Sequence, residues 1–248
     1  MPFLSCKLYK IEVPKADNAE KLFENRGSMQ YGKEYGNPLN FIVRPQRSIP
    51  EFGQLTNVYY DRIITVRTLD PQTLEVTGAK IPQTEGPVTV FLYRKAPLEY
   101  CLGVFANFST AEKIAEIVNV ILGQDTQGPS LNLHKIQFLL DQKEKEIRGI
   151  PDFSNVSEIS VEDINDLYID AVWMKGSQLD SAPEYRKWVT DELSGGHIRF
   201  LTLSYKDRAF YLLSDGRIFT KQGRDPEDDY LVIHELVLRL SEVSAVRI

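Results

Sequence analysis

Apolar residues recur at helical spacing in several segments of the chain. The clearest helix is predicted to begin at Asp225, which can act as its N-cap, and Pro226 suits the first helical position. An acidic first turn and an apolar stripe follow, as expected for an amphipathic helix. Three further helices are predicted over 109–122, 181–193 and 17–25, the first two starting with the Ser-x-x-Glu spacing of a capping box.

Runs of β-branched and aromatic residues predict strands between these helices. The dipeptide Asp215-Gly216 predicts a type I′ hairpin, because both turn residues need positive φ, and Lys206-Asp207 suits the preceding turn. Together these turns predict a three-stranded meander near the C-terminal end. The predicted strands are 7–13, 58–67, 74–77, 88–94, 99–106, 167–174, 198–205, 208–214 and 217–221.

The same order of elements appears in both halves of the sequence. We therefore predict an α+β fold of two similar lobes, each an antiparallel sheet with helices on one face, in β-α-β-β-β-α order. The first lobe covers 1–124 and the second covers 167–248. Residues 125–166 are predicted to hold a bridging helix at 131–148 and a linker, although 131–138 could instead form a strand.

One long segment of the first lobe, 27–57, shows no clear period and is rich in Gly, Pro, Asn and Gln. Loops of this length are uncommon inside domains and are often functional or disordered. The aromatic residues of this segment argue against plain disorder. The sequence therefore predicts a long, ordered loop.

Composition narrows the class of protein. A chain of 248 residues with 42% hydrophobic and 26% charged residues is typical of globular proteins and excludes a disordered chain. The formal charge is -6, but residues 1–124 carry a net +1 and residues 125–248 a net −7. A basic surface is therefore expected only in the first half.

Cysteine usage and hydropathy indicate a cellular compartment. The chain has two cysteines, Cys6 and Cys101, and its first residues lack the charged and apolar pattern of a secretory leader. No stretch approaches 18 consecutive apolar residues, so no membrane association is expected. We predict a cytoplasmic protein.

Sequence motifs for catalysis are missing. There is no Cys-x-x-Cys, no His-Glu-x-x-His, no phosphate-binding Gly-x-x-x-x-Gly-Lys-Ser/Thr and no Gly-x-Ser-x-Gly. We predict no catalytic site, no metal and no cofactor. The alternative is a hydrolase or nuclease whose site is assembled from remote residues, with Asp170, His197 and Asp215 as the first candidates.

Arginine and aromatic residues accompany each other in the first half, a composition typical of interface cores and of surfaces that stack single-stranded nucleic acid. We interpret the chain as a non-catalytic interaction or adaptor subunit of a macromolecular complex that docks a protein partner. The alternative is a nucleic-acid-binding accessory protein that uses the same surface. The predicted partner-binding residues are Tyr31, Tyr35, Phe41, Arg44, Arg47, Phe52, Tyr59, Tyr60 and Arg62.

Overall fold

The computed structural model describes residues 3–11, 22–23, 26–49, 53–69, 71–74, 76–96, 99–124, 134–135, 137–138, 147, 156–164, 169–177, 179–185, 187, 196–221, 223, 226–242 and 246–247. The chain divides into two units. The first unit comprises Met1–Lys10, Phe105–Asn107 and His134–Ile248, and the second comprises Ile11–Val104 and Phe108–Leu133. Because each unit takes stretches from both sequence halves, the lobe boundaries at 124 and 166 stay a prediction.

Strands dominate the described residues. The two long helices are α1 (Phe108–Gln124) and α2 (Pro226–Glu242). The strands are β1 (Phe3–Ile11), β2 (Gly27–Glu34), β3 (Asn37–Ile49), β4 (Gly53–Leu69), β5 (Val76–Ala96), β6 (Glu99–Phe105), β7 (His134–Lys135), β8 (Gln137–Phe138), β9 (Glu158–Glu162), β10 (Ala171–Lys175), β11 (His197–Tyr205), β12 (Arg208–Leu213), β13 (Arg217–Lys221) and β14 (Val246–Arg247).

The first unit is built on strands in the order β10-β9-β11-β12-β13-β1, with β7 pairing β1 and β14 pairing β8. The predicted meander is confirmed: β11, β12 and β13 pair antiparallel through turns at the expected positions. Lys206 and Asp207 both have positive φ, as a type I′ turn requires, whereas in the second turn only Gly216 does. One side of α2 buries Ile233, Leu236, Val237 and Leu240.

The second unit is built on strands in the order β6-β5-β4-β3-β2. Alternate side chains of β3 are buried at Leu39, Phe41 and Val43, which is the pattern of a strand with one face in a core, whereas the five consecutive residues 88–92 of β5 are all buried. Helix α1 contacts β2 and buries apolar residues along its whole length. These residues are Ala111, Ile114, Ala115, Ile117, Val118, Ile121 and Leu122.

The predicted α+β fold of two similar lobes with helices on the sheet faces is wrong. The described chain is predominantly β: eleven of its fourteen described strands make up the two strand orders given above, six in the first unit and five in the second, and only two long helices are described. The two units also differ in the number of their described strands. The error arose because 27–57 was predicted to be a loop, whereas it contains two strands and the start of a third.

Several predicted helices fall largely outside the described residues. In 181–193 the structure describes helical turns at Leu179–Ser181 and Pro183–Tyr185, and in 17–25 only residues 22 and 23 are described, as helical. The predicted bridging helix contains β7 and β8, so its first part follows the alternative strand interpretation. Among the described residues, no helix has the length and hydropathy needed to cross a bilayer.

Strands β4 and β5 extend well past the end of β3. The β3–β4 ladder includes Phe41 opposite Tyr60 as its last pair, whereas the β4–β5 ladder continues from Arg62 opposite Gln83 to Leu69 opposite Val76. We call residues 62–69 and 76–83 the distal ribbon. Its side chains are exposed or only half-buried, and Leu69, Val76 and Ile81 are exposed hydrophobic residues.

Candidate functional site: a surface for partner docking

The segment 27–57, predicted as a loop, forms β2, β3 and the start of β4. The β2–β3 hairpin turns at Tyr35 and Gly36, whose φ values of 48° and 82° match a type I′ turn. Register shifts between Gln30 and Gly32 and between Pro45 and Arg47 interrupt the alternation of the strands. These irregularities explain why no period of two is visible in the sequence.

Two predicted partner-binding residues belong to the core. Phe41 and Tyr60 lie opposite each other on β3 and β4, and they are 0% and 8% exposed. A partner cannot reach either ring in this conformation. Their aromatic character therefore serves packing, and we leave both out of the docking surface.

Tyr31 is the extra residue at the β2 register shift and is half-buried. Its hydroxyl donates a hydrogen bond to the main-chain carbonyl of Asp61 on β4. Burial, reinforced by the negative charge of Asp61, raises the pKa of Tyr31 to about 12. The neutral phenol is thus a structural donor that fastens β2 to β4.

Asp61 holds the hairpin where β3 leaves β4. One carboxylate oxygen accepts from the backbone N–H of Asn40 at 3.0 Å and from the Asn40 side-chain amide at 2.9 Å. The other accepts from the Thr84 hydroxyl at 2.7 Å. Burial alone would raise the pKa of Asp61, but the hydrogen bonds from Thr84 and Asn40 outweigh it and lower the pKa below 3.8.

Tyr35 is presented at the tip of this hairpin. Its side chain is 61% exposed, and the Lys80 ammonium lies 3.4 Å from the centroid of its ring, a close cation–π contact. The side-chain amide of Asn37 donates to the Lys80 carbonyl at 3.4 Å. These contacts fix the tip against β5, so the exposed ring has a defined position.

A second cation–π pair lies on the same side of the sheet. The guanidinium of Arg44 is 5.1 Å from the ring centroid of Tyr59. Arg44 opposes Asn57 across the β3–β4 ladder, and Tyr59 is two residues further along β4, so both side chains project from one face. Lys80 opposes Thr65, which lies six residues beyond Tyr59 and therefore shares that face.

We call Tyr35, Arg44, Tyr59 and Lys80 the docking surface. Its two aromatic rings are each contacted by a cation, and Arg44 and Lys80 are exposed. Lys80 and Asp61 were not among the residues predicted from the sequence. Their roles depend on the β2–β3 turn and on the β4–β5 register, and neither was predicted because 27–57 shows no regular alternation of apolar and polar residues. The strand predicted over 58–67 contains Asp61, and an acidic residue inside a predicted strand was the available signal for it.

The remaining predicted partner residues lie elsewhere. Arg62 projects from the opposite face of β4, where its Nε is 2.7 Å from Glu85 in an exposed ion pair. The backbone of Arg47 lies in β3 opposite Leu55. The Arg47 side chain and all of Phe52 lie outside the described residues.

The structure places the three catalytic candidates at one end of the first unit's sheet. His197 on β11 and Ala171, which follows Asp170, both pair with Glu162 on β9. The Asp215 carboxylate accepts from the backbone N–H and the Nε of Arg217, as a turn residue does. Within the described ranges, no three His, Cys, Asp or Glu side chains form a group that could bind a metal ion.

Comparison of the chain with protein-family models, with curated proteins and with solved structures gives no match.

Proposed function

We propose that the protein is a non-catalytic, cytoplasmic interaction subunit that docks a protein partner on the docking surface. The observation that carries the proposal is the presentation of Tyr35. Its ring is 61% exposed at a hairpin tip whose backbone φ of 48° is unfavourable for a tyrosine. Residues kept in such conformations cluster at functional positions, where surrounding contacts enforce them.

The order of this tip favours binding. The contacts from Lys80 and Asn37 place the ring before a partner arrives, so less conformational entropy is lost on association. Tyrosine and arginine are also enriched among the residues that contribute most to binding at protein interfaces. Replacing one of the strongest of these by alanine weakens binding by roughly 2 kcal/mol or more. Tyr35 and Arg44 are thus suited to anchor a partner.

The electrostatics favour a protein partner with an acidic patch. Arg44 and Lys80 are exposed cations. The Asp61 carboxylate accepts hydrogen bonds from Asn40 and Thr84 and is buried, so it does not offset these positive charges at the surface. A cation covers one face of each aromatic ring, which leaves fewer ring faces for stacking with nucleic-acid bases. This arrangement argues against the nucleic-acid alternative.

The test compares the wild-type chain with Tyr35→Asn. Asn-Gly is a preferred type I′ dipeptide, so this substitution removes the ring while it preserves the turn. Tagged full-length proteins are purified from the native source and their captured proteins quantified by mass spectrometry. We expect a defined partner with the wild type and its loss with Tyr35→Asn.

The matched control is Trp173→Ala, which removes an aromatic ring of similar exposure, 68%, from the first unit. Equal capture by wild type and Tyr35→Asn would overturn the proposal. Salt-sensitive binding of single-stranded DNA or RNA in fluorescence polarisation, with no protein partner, would instead support the nucleic-acid alternative.

A further inference from the structure

The sheet face that bears the docking surface carries further cations. On β4, Arg67 lies two residues beyond the position that opposes Lys80, so it projects from the same face. On β2, Lys33 opposes Pro38, which is six residues from Arg44 in the regular part of β3, so Lys33 shares this face as well. We call Lys33, Arg44, Arg67 and Lys80 the basic face.

All four side chains of the basic face are exposed, and in the described part of the chain none of them forms an ion pair. Cations elsewhere are neutralised. On the opposite face of the same sheet, Arg62 lies 2.7 Å from Glu85. In the first unit, Arg199, Arg208 and Arg217 each lie 2.5–2.8 Å from a carboxylate oxygen. The basic face thus carries positive charge that no described carboxylate offsets.

The acidic residues of β2 to β5 do not contribute to this surface. Glu34 opposes Asn37 and Glu85 opposes Tyr60, which places both carboxylates on the opposite face. Asp61 lies on the same side as the cations, but it is 6% exposed and its carboxylate accepts the hydrogen bonds described above. Among the described residues of these strands, no exposed carboxylate therefore lies between the cations, and the charge that complements this face is negative.

The cations are spread along the direction of the strands. Arg44 opposes Asn57, and Arg67 lies ten residues further along β4, which is about 30 Å at the rise of a β-strand. Lys80 lies near the far end of this row, beside the exposed ring of Tyr35. A single ligand that contacts both ends must be elongated, and an extended polypeptide of about ten residues has the required length.

We infer that the partner contributes an acidic, extended segment of about ten residues, which lies along the basic face from Arg44 to Arg67. Its carboxylates meet four cations that have no other counter-charge in the described chain. The cations over Tyr35 and Tyr59 reduce the ring surface on which nucleic-acid bases could stack, which favours a polypeptide as the anion. This inference rests on the proposed function, because it names the chemistry of the same partner.

The test measures the affinity of the full-length chain for a fluorescein-labelled decaglutamate peptide by fluorescence polarisation at low salt. We expect the wild type to bind this probe and to lose affinity as salt is added. Arg44→Gln and Arg67→Gln remove one charge from either end of the basic face. Each should weaken binding by about threefold, and the double variant by about tenfold.

The matched control is Arg62→Gln, which changes the net charge by the same amount on the opposite face and should bind like the wild type. Circular dichroism confirms that each variant is folded. No binding of decaglutamate, equal affinities of wild type and double variant, or an equal loss in Arg62→Gln would each overturn the inference.

Two other occupants have their own signatures, and either would also overturn the inference. A higher affinity for a ten-nucleotide deoxythymidine strand, lost in the double variant, would favour nucleic acid. Dimers in light scattering that Arg67→Gln dissociates would assign the face to a second copy of the chain. Partner capture that depends on Tyr35, together with decaglutamate affinities unaffected by Arg44→Gln and Arg67→Gln, would refute the acidic segment and leave the proposed function standing.

Discussion

Removal of the Asp61 carboxylate tests how the hairpin that carries Tyr35 is held. Asp61→Ala removes the acceptor of three hydrogen bonds, which come from the Asn40 backbone, the Asn40 amide and the Thr84 hydroxyl. Asp61→Asn keeps the shape and one acceptor oxygen. The two variants therefore separate the loss of hydrogen bonding from the loss of charge.

The magnitudes follow from the donors. A hydrogen bond to a charged group contributes roughly 1.5–3 kcal/mol, but contributions at one carboxylate are not additive and water can replace part of them. We expect Asp61→Ala to lower the free energy of unfolding by about 3–4 kcal/mol. In Asp61→Asn, the remaining oxygen can serve both Asn40 donors while the Thr84 hydroxyl becomes an acceptor, so the expected loss is about 1 kcal/mol.

Urea unfolding of the full chain, followed by circular dichroism, measures both values, and amide hydrogen exchange reports the hairpin directly. Asp61→Ala should accelerate exchange in β2 and β3 more than in the first unit. Equal stability of wild type and Asp61→Ala would refute the reasoning. So would a larger loss in Asp61→Asn than in Asp61→Ala.

The stability difference between the wild type and Asp61→Asn should also depend on pH, and the direction of this dependence follows from the pKa of Asp61. Because the pKa of Asp61 is lowered, its contribution is fully present above the ordinary value of 3.8 and is lost as pH falls through the lower folded pKa. The stability difference between wild type and Asp61→Asn should therefore shrink in strong acid. A difference that grows as the pH falls would contradict this assignment.

Three predictions concern packing. Burial lowers the pKa of His234 from 6.5 to about 4, so protonation of the unfolded chain should remove up to about 3 kcal/mol of stability as pH falls from 6.5 to 4, and His234→Leu should flatten this dependence in urea titrations. Asp229 is 0% exposed and its Oδ1 lies 2.5 Å from the Arg208 guanidinium, so Asp229→Ala should cost about 3–5 kcal/mol, and a loss below 1 kcal/mol in urea unfolding would show that the pair is dispensable. A Cβ at Gly103 would lie 2.0 Å from the Phe91 ring, so Gly103→Ala should lower stability by about 1–3 kcal/mol, and an unchanged thermal midpoint would contradict this packing.

The sequence predicted the first unit's meander and the helix after Asp225 because each has an undisturbed local signal. The turns at Lys206-Asp207 and Asp215-Gly216 separate regular strands, and α2 begins at Pro226, just after the predicted cap. Local periodicity and turn chemistry are sufficient where no register shift intervenes.

The second unit could not be predicted in this way. The register shifts near Tyr31 and Pro45 move the following side chains to the other face of the sheet. Gly and Pro also occur at these positions, and this composition is typical of loops. Composition drew attention to Tyr35 and Arg44, which are exposed, but it could not distinguish them from Phe41, whose burial depends on strand pairing that is distant in sequence.

The proposed function is the binding of a protein partner through the positioned ring of Tyr35. Its most direct test is the dissociation constant of the captured partner, measured by calorimetry with wild type, Tyr35→Asn and Trp173→Ala. We expect Tyr35→Asn to weaken binding by about thirtyfold, equivalent to a 2 kcal/mol anchor, and Trp173→Ala to bind like the wild type. Equal dissociation constants for wild type and Tyr35→Asn would contradict it.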